Sequence, residues 1–309
     1  MKKKVFIDGS AGTTGLRIYE RLSEREDLEL LTLSEEKRKD PVARKRMLNS
    51  ADVAFLCLPD DAAREAVAMV ENPAVTVIDA STAHRTLAGW AYGFPELSAS
   101  FEEKIVSSKR IAVPGCHASG FIALVYPLIE AGLLDKSALI TCHSITGYSG
   151  GGKKMIAEYE AEEKSVLLGA PRQYALSQGH KHLKEMKGIC GLENAPAFSP
   201  IVSNFYSGMA VTVPLFASQV KGSVEELKKL YAKKYNGEIV SYVESADENG
   251  FLSGATLSGK DSMRVTVSGN DERILLIAVY DNLGKGASGA AVECMNLAIG
   301  EDRKKGLIL

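Results

Sequence analysis

Short apolar runs alternate with amphipathic stretches through the first quarter of the chain, and this rhythm narrows the possible folds most. Lys4 to Asp8, Leu28 to Leu33, Val53 to Leu58 and Val75 to Ile78 read as short strands. Between them, Thr13 to Glu24 carries Leu16, Tyr19 and Leu22 at helical spacing; Pro41 to Asn49 and Asp61 to Val70 also read as helices. Continuous apolar strands separated by helices imply a parallel sheet covered on both faces, which is a doubly wound α/β domain.

The rhythm changes after residue 110. Ile111 to Val113 is a strand stub, followed by Pro114-Gly115-Cys116 and a helix running to about Ala131, where Gly132 ends it. A strand is expected from Leu139 to Ile145, then a glycine-rich loop from Gly147 to Gly152 and a polar stretch to about Leu168. Later strands alternate more, at Met209 to Phe216, Ile239 to Val243, Met263 to Ser268 and Ile274 to Tyr280; a last helix is expected from Ser288 to Ile299. Alternation suits a mixed or antiparallel sheet with one covered face. A chain of 309 residues, 45% hydrophobic and 25% charged, suits two ordinary globular domains, and the boundary falls near Cys116.

Gly9-Ser10-Ala11-Gly12-Thr13-Thr14-Gly15 joins the first strand to the first helix with the spacing G-x-x-G-x-x-G. Glycines allow a tight turn and close approach to a pyrophosphate, and the helix N-terminus adds free N–H groups and a positive dipole end. Thr13 and Thr14 add hydroxyls. A packing turn is the plainer alternative. At the end of the second strand, an NAD-selective site often has an acid for the ribose 2′-hydroxyl. Here Ser34, Lys37 and Arg38 could instead hold a 2′-phosphate, with Glu35 as the dissenting charge, so NADP(H) is the expected cofactor.

Five cysteines, with no CxxC pair, argue against a disulfide framework and a zinc ribbon and fit a reducing compartment. Cys116 stands at a helix start, where unpaired N–H groups and the dipole favour a thiolate and could hold an oxyanion. Cys57, Cys142 and Cys294 lie inside strands or a helix, and Cys190 has no evident base beside it. A thiolate nucleophile needs a proton carrier, and His180-Lys181-His182 is the conspicuous pair. Spacing alone does not choose between the two, and a solvated helix start is the bland reading. His117 adjoins Cys116, but successive helical side chains diverge, so it reads as structural. No carboxylate or further cysteine completes a zinc set, so no metal is expected.

Gly147 to Lys154 nearly spells a phosphate-binding P-loop, but Lys154 stands where a magnesium-binding Ser or Thr belongs. The run reads better as a flexible loop offering N–H groups and a lysine to an anion.

Together these segments resemble the N-acetyl-gamma-glutamyl-phosphate reductases, in particular the shorter of their two sequence types. The likeness is carried by Val5 through Gly9 with the turn to Gly15, Phe55 through Asp61, Asp79 through Arg85, and Val113 through Cys116. It continues through Gly147 to Lys153, Gly179 to His182, and the long run from Asp281 to Gly289. Val113 stands where the longer type has an asparagine.

The resemblance implies a Rossmann domain over 1–115 and 287–309. Residues 116–286 would form an α+β catalytic domain like that of glyceraldehyde-3-phosphate dehydrogenase. It implies a thioester on Cys116, roles for His180 and His182 in acid/base work or substrate contact, and Asn282 and Pro59 beside the cofactor. Ser81, Arg85, Ser149 and Gly150 would meet an acyl phosphate substrate; the fork of Arg85 suits two anionic oxygens. A homo-oligomer is also expected.

Two rivals keep parts of this pattern. An aspartate-semialdehyde dehydrogenase or a carrier-linked reductase would share the mechanism; a non-catalytic NADP-binding redox sensor would need only the glycine turn. A net charge of −2 with scattered basic residues speaks against nucleic acid. No apolar run reaches the roughly 18 residues of a membrane span, and the apolar run after Lys4 is too short for a signal peptide, so a cytoplasmic protein is expected.

Overall fold

The computed structural model describes residues 2–309 and divides them into two units, one of residues up to Gly115 with Ala287–Leu307, the other of Cys116–Gly286 with Ile308–Leu309. In the first, β1 (Lys3–Asp8), α1 (Thr13–Ser23), β2 (Leu28–Leu31), α2 (Pro41–Ser50), β3 (Val53–Leu56), α3 (Asp60–Met69) and β4 (Thr76–Asp79) follow the expected alternation. β5 (Ala91–Tyr92), α4 (Ala99–Ser107) and β6 (Arg110–Ala112) complete it. The strands form one parallel sheet in the order β2-β1-β3-β4-β6-β5. The chain steps from β1 to β2 on one side and then crosses back to β3 on the other, so the turn after β1 lies at the point where strand order reverses, the place such sheets bind ligands. One face of the sheet is filled by Val5, Ile18, Phe55 and Ile78 together with Ala291, Val292 and Met295 from the C-terminal helix Gly289–Ile299; Phe6, Leu48, Leu56 and Val77 fill a second core.

The second unit opens with α5 (Cys116–Glu130). Its sheet runs β11-β12-β13-β10-β7-β9-β8, built from β7 (Thr141–Gly147), β8 (Arg172–Gln173), β9 (Ala197–Ser203), β10 (Met209–Phe216), β11 (Val240–Tyr242), β12 (Met263–Gly269) and β13 (Arg273–Tyr280). β10 pairs antiparallel with both β13 and β7, while β7 and β9 are parallel. The alternating burial along β7 and β9 is that of a sheet with one face covered. α6 (Gly152–Glu160), α7 (His182–Cys190), α8 (Val224–Lys234) and, back in the first unit, α9 (Gly289–Ile299) are the remaining helices.

α5 is buried almost all round and packs on β10, β13, α7 and α8. Pro127 inside it has no N–H, so the carbonyl of Ala123 one turn earlier loses its usual donor. The Tyr235 hydroxyl donates to that carbonyl at 2.7 Å, and the Tyr231 hydroxyl donates to the next one, Leu124. Tyr235 thus supplies the donor that the proline lacks.

The structure differs from the sequence expectation in places. The stretch after the glycine loop is not a loop: Tyr148–Gly151 forms a 3₁₀ turn and α6 follows at once, which places Lys153 and Lys154 in a helix. Gly151 crowds Met155 there, and the apolar spacing of Met155 and Tyr159 against Leu168 and Val202 holds the helix down. α4, α8 and β9 also went unread. Ile308 and Leu309 group with the second unit because Ile308 exchanges backbone and carboxylate bonds with Asp261.

Candidate active site

In the first unit β1 ends at Asp8 and the chain turns at Gly9 with φ +88°, a conformation glycine adopts freely. A Cβ at Gly9 would stand 2.3 Å from the carbonyl oxygen of Cys57, so the turn closes against β3 only because residue 9 is glycine. Gly15 is equally confined: a Cβ there would stand 2.4 Å from the Gly9 oxygen. Gly12 caps α1, with Thr13 and Thr14 in its first turn, and Pro59 caps α3. Beside the turn lies a groove of about 860 Å³ lined by Gly9, Ser10, Ala11, Leu31, Leu33, Glu35, Arg38, Lys39 and Arg44, among others.

This cradle fits a dinucleotide. Bare backbone N–H groups stand at a helix start, and a basic end lies beyond β2. Arg38 is in that basic end, in an ion pair of 2.6 Å with Glu35; Lys39 joins it, a residue the sequence reading passed over. Ser34 and Lys37 are close in sequence but are not among the lining residues. Asp8 and Arg44, both buried, form a two-pronged ion pair of 3.1 and 2.8 Å at the groove wall.

Asp79, at the end of β4, is fully buried and gathers its neighbours. One oxygen accepts from the Ser81 N–H at 2.9 Å; the other takes the Ser81 hydroxyl at 2.7 Å and stands 2.6 Å from His84 Nδ1. His84 stacks on Trp90. Arg85 directs Nε to the carbonyl of Val113 at 2.8 Å and Nη2 to that of Ala80 at 3.0 Å. Two donors of the fork expected to hold a substrate anion therefore brace the backbone that leads to Pro114, Gly115 and Cys116.

Cys116 is half-buried at the start of α5. Tyr280, the last residue of β13, donates its hydroxyl to the Cys116 carbonyl at 2.5 Å and accepts the Gly120 N–H at 3.0 Å. Gly120 leaves the room: a Cβ there would stand 2.7 Å from the Tyr280 oxygen. The two residues after Tyr280 tie down the surrounding loops. Asp281 accepts from the Leu283 N–H at 2.6 Å, the Ser207 hydroxyl at 2.9 Å and the Gly259 N–H at 2.5 Å. Asn282 donates to Ser149 Oγ at 3.0 Å and accepts the Gly208 N–H at 2.8 Å, with Gly150 close beside its amide. The side chain of Asn282 therefore holds the glycine loop, and Ser149 is buried against it.

His180 and His182 do come together, with ring centres 4.7 Å apart, and His117 joins them at 5.6 and 5.7 Å. Phe198 from β9 closes the cluster. His117 is buried, with Nδ1 2.6 Å from Ser144 Oγ and Nε2 2.7 Å from the Tyr174 hydroxyl. Burial, then the nearby charge of His180, pushes its pKa down to about 3. Burial and Lys181 push His180 down to about 4, so both rings are neutral near pH 7. His180 Nδ1 accepts the His182 backbone N–H at 3.1 Å, which leaves its proton on Nε2. Ser144 and Tyr174 went unnoticed in the sequence; an alternating strand that buries a serine on the α5 side was the available signal.

Three of the other cysteines are poor nucleophiles. Burial lifts Cys57 to about 12, with Asp79 and Asp8 adding to it, and burial alone raises Cys142 and Cys190 well above the ordinary thiol range. None of the five cysteines is in a disulfide. Among the described residues no group of three His, Cys, Asp or Glu is arranged to hold a metal, and no helix is long and apolar enough to cross a membrane.

Comparison with known proteins gives two matched domains: residues 4–105 fit the semialdehyde dehydrogenase NAD binding domain and residues 116–282 the semialdehyde dehydrogenase dimerisation domain. A protein of Nostoc sp. named N-acetyl-gamma-glutamyl-phosphate reductase 2 is 45% identical over 99% of both chains. The N-acetyl-gamma-glutamyl-phosphate reductase of Chelativorans sp. is 47% identical over 97% of this chain and 99% of its own. Among solved structures, aspartate semialdehyde dehydrogenase II of Vibrio cholerae superposes with a TM-score of 0.75 at 18% identity, over 98% of this chain and 99% of that one. The Candida albicans aspartate semialdehyde dehydrogenase with NADP gives 0.66 at 16%, over 98% and 100%. At such identities these two speak for the fold.

Proposed function

Because the chain belongs to the semialdehyde dehydrogenase family, beside relatives named N-acetyl-gamma-glutamyl-phosphate reductase, we propose that it reduces N-acetyl-gamma-glutamyl phosphate to N-acetylglutamate 5-semialdehyde and phosphate, in arginine biosynthesis. The observation that carries this reading is Cys116, a thiol at the start of a braced helix within a unit that also holds three clustered histidines.

Cys116 thiolate attacks the acyl carbon, the C–O bond to phosphate breaks, and a thioester remains. The cofactor, when bound, supplies the hydride. His180 is the substrate contact of the pair: it is half-exposed and presents Nε2–H, which steadies the charge gathering on the acyl oxygen. His182 is buried at the start of α7 and orients His180 through its backbone N–H. Gly9, Ser10, Gly12, Thr13, Thr14 and Gly15 cradle the pyrophosphate. Arg38 and Lys39 in the groove favour NADP(H) over NAD(H). In the second unit Ser149 and Gly150 are offered to the substrate on a loop that Asn282 holds; in the first, Ser81 is held on its own turn by Asp79.

The working form is a homo-oligomer, in keeping with the dimerisation domain that residues 116–282 match. Five cysteines without a disulfide favour the cytoplasm as its compartment.

The reverse reaction provides the test: phosphate-dependent reduction of NADP⁺ with N-acetylglutamate semialdehyde, before and after iodoacetamide. Activity that disappears as Cys116 is labelled supports the proposal. Faster turnover of aspartate semialdehyde would move the assignment to that substrate, and NADPH binding without any turnover would favour a sensor.

A further inference from the structure

Ser144 lies on β7 with no solvent exposure, and the only hydrogen-bond partner of its hydroxyl among the described residues is His117 Nδ1, at 2.6 Å. A buried hydroxyl whose proton finds no acceptor is costly, so Ser144 donates to Nδ1. Nδ1 therefore carries no proton. His117 is 2% exposed and packed among His180, His182 and Phe198, and burial keeps the ring neutral far below pH 7. Its single proton sits on Nε2 and is given to the Tyr174 oxygen, 2.7 Å away.

Tyr174 thus accepts from His117, and its own proton must turn away from the imidazole. No other side chain among the described residues takes that proton. Burial, with the neighbouring Cys116 charge, raises the phenol far above its ordinary value, so Tyr174 is a neutral donor throughout the working range. His117, which holds the phenol oxygen, directly follows Cys116 at the start of α5.

We propose that Ser144, acting through the fixed tautomer of His117, aims the Tyr174 hydroxyl as a hydrogen-bond donor toward the reacting sulfur and acyl oxygen. Ser144 and His117 are positioning residues. Tyr174 is the group that meets the substrate: it donates to the thiolate before attack and to the oxyanion after it. This rests on the reading of Cys116 as the nucleophile. A second feature favours the arrangement: Tyr174 also meets the His180 ring edge, at 5.8 Å between centres, so the two donors stand together.

The decisive experiment is a long-range proton–nitrogen spectrum of the ¹⁵N-histidine-labelled wild-type protein, with no variant needed. A neutral His117 with its proton on Nε2 from pH 5 to 8 is the expected pattern; an Nδ1–H tautomer overturns the proposal. Variants then test the consequence. Tyr174→Phe should lower kcat about 100-fold, as for loss of one oxyanion donor, with little change in substrate KM. It should also move the pH profile of Cys116 alkylation upward by about one unit. Ser144→Ala should shift the His117 tautomer and lower kcat in the same direction, and Ser144→Thr, which keeps the hydroxyl, should restore both. Unchanged kcat in Tyr174→Phe would sink the idea. Should the acyl phosphate fail as a substrate while Tyr174→Phe still shifts the alkylation profile, the substrate assignment falls and the proton arrangement stands.

Discussion

Gly286 lies directly against Cys116: a Cβ built on the glycine would stand 3.1 Å from the cysteine Cβ and 3.0 Å from the Asp281 carbonyl oxygen. Neither neighbour is free to yield, since one heads α5 and the other belongs to backbone held by the buried Asp281 carboxylate. Gly286→Ala should therefore push Cys116 off its line. We expect kcat to fall about tenfold or more, on the rule that small misplacements of reacting groups are costly, with little change in unfolding midpoint. Equal kcat for the variant and wild type would mean that the site has slack the packing does not show.

Cys116→Ser should abolish turnover and leave NADPH affinity within about twofold of the wild type, because the cofactor groove is lined by residues 6–62. In the wild type at pH 7, iodoacetamide should label Cys116 alone, since the raised values of Cys57, Cys142 and Cys190 keep those thiols protonated. Peptide mapping after alkylation checks both, and a label on Cys57 would contradict the second.

Asp8 and Arg44 pair out of reach of most solvent. Arg44→Ala would leave a buried carboxylate without its cation, at a cost of about 3 kcal/mol in denaturant unfolding. The stranded negative charge would also border the groove, so NADPH should bind more weakly. Arg44→Ala with wild-type NADPH affinity would show that the pair serves the fold alone.

His117 has a folded value depressed to about 3, below the ordinary 6.5. Between those values the unfolded chain holds a proton there that the folded protein lacks, so stability is complete above about pH 6.5 and falls as the pH drops. The slope from this residue is at most about 1.4 kcal/mol per pH unit. His180 adds to it in the same direction, less strongly because it is half-exposed. Denaturant titrations at pH 7, 6 and 5 should show the wild type losing stability faster than His117→Asn; parallel curves would contradict the assigned burial.

Cofactor choice should respond to Glu35. It holds Arg38 in an ion pair at the edge of the groove. Glu35→Gln should free that guanidinium and lower the KM for NADPH, while Arg38→Ala should raise it, each leaving the KM for NADH much less changed. Equal effects on both cofactors would remove Arg38 from 2′-phosphate recognition.

Much of this was legible because local rules acted alone. The glycine turn followed a strand and opened a helix, and Cys116 followed Pro-Gly at a helix start, so backbone geometry sufficed for both. The rest needed distant partners. His117 looked incidental because its neighbour along α5 points elsewhere; what brings it into the cluster is Ser144 on β7 and Tyr174 just beyond β8. That the Arg85 fork also reaches the carbonyls of Val113 and Ala80 is not written in the sequence either. The glycines before α6 hid a helix whose hold comes from Tyr159, Leu168 and Val202, drawn together only by the fold.

Three consecutive side chains at the end of β13 do separate jobs: Tyr280 on the nucleophile's own carbonyl, Asp281 on the surrounding turns, Asn282 on the glycine loop. Their sharing of one strand end makes chain length, more than residue identity, the site's weak point. Adding or deleting one residue between Ile274 and Tyr280 would move each side chain into its neighbour's place, and all three attachments would fail in a single event. Insertions should be absorbed instead by exposed loops such as residues 245–250, and lineages of this protein should differ in length there while β13 keeps its count.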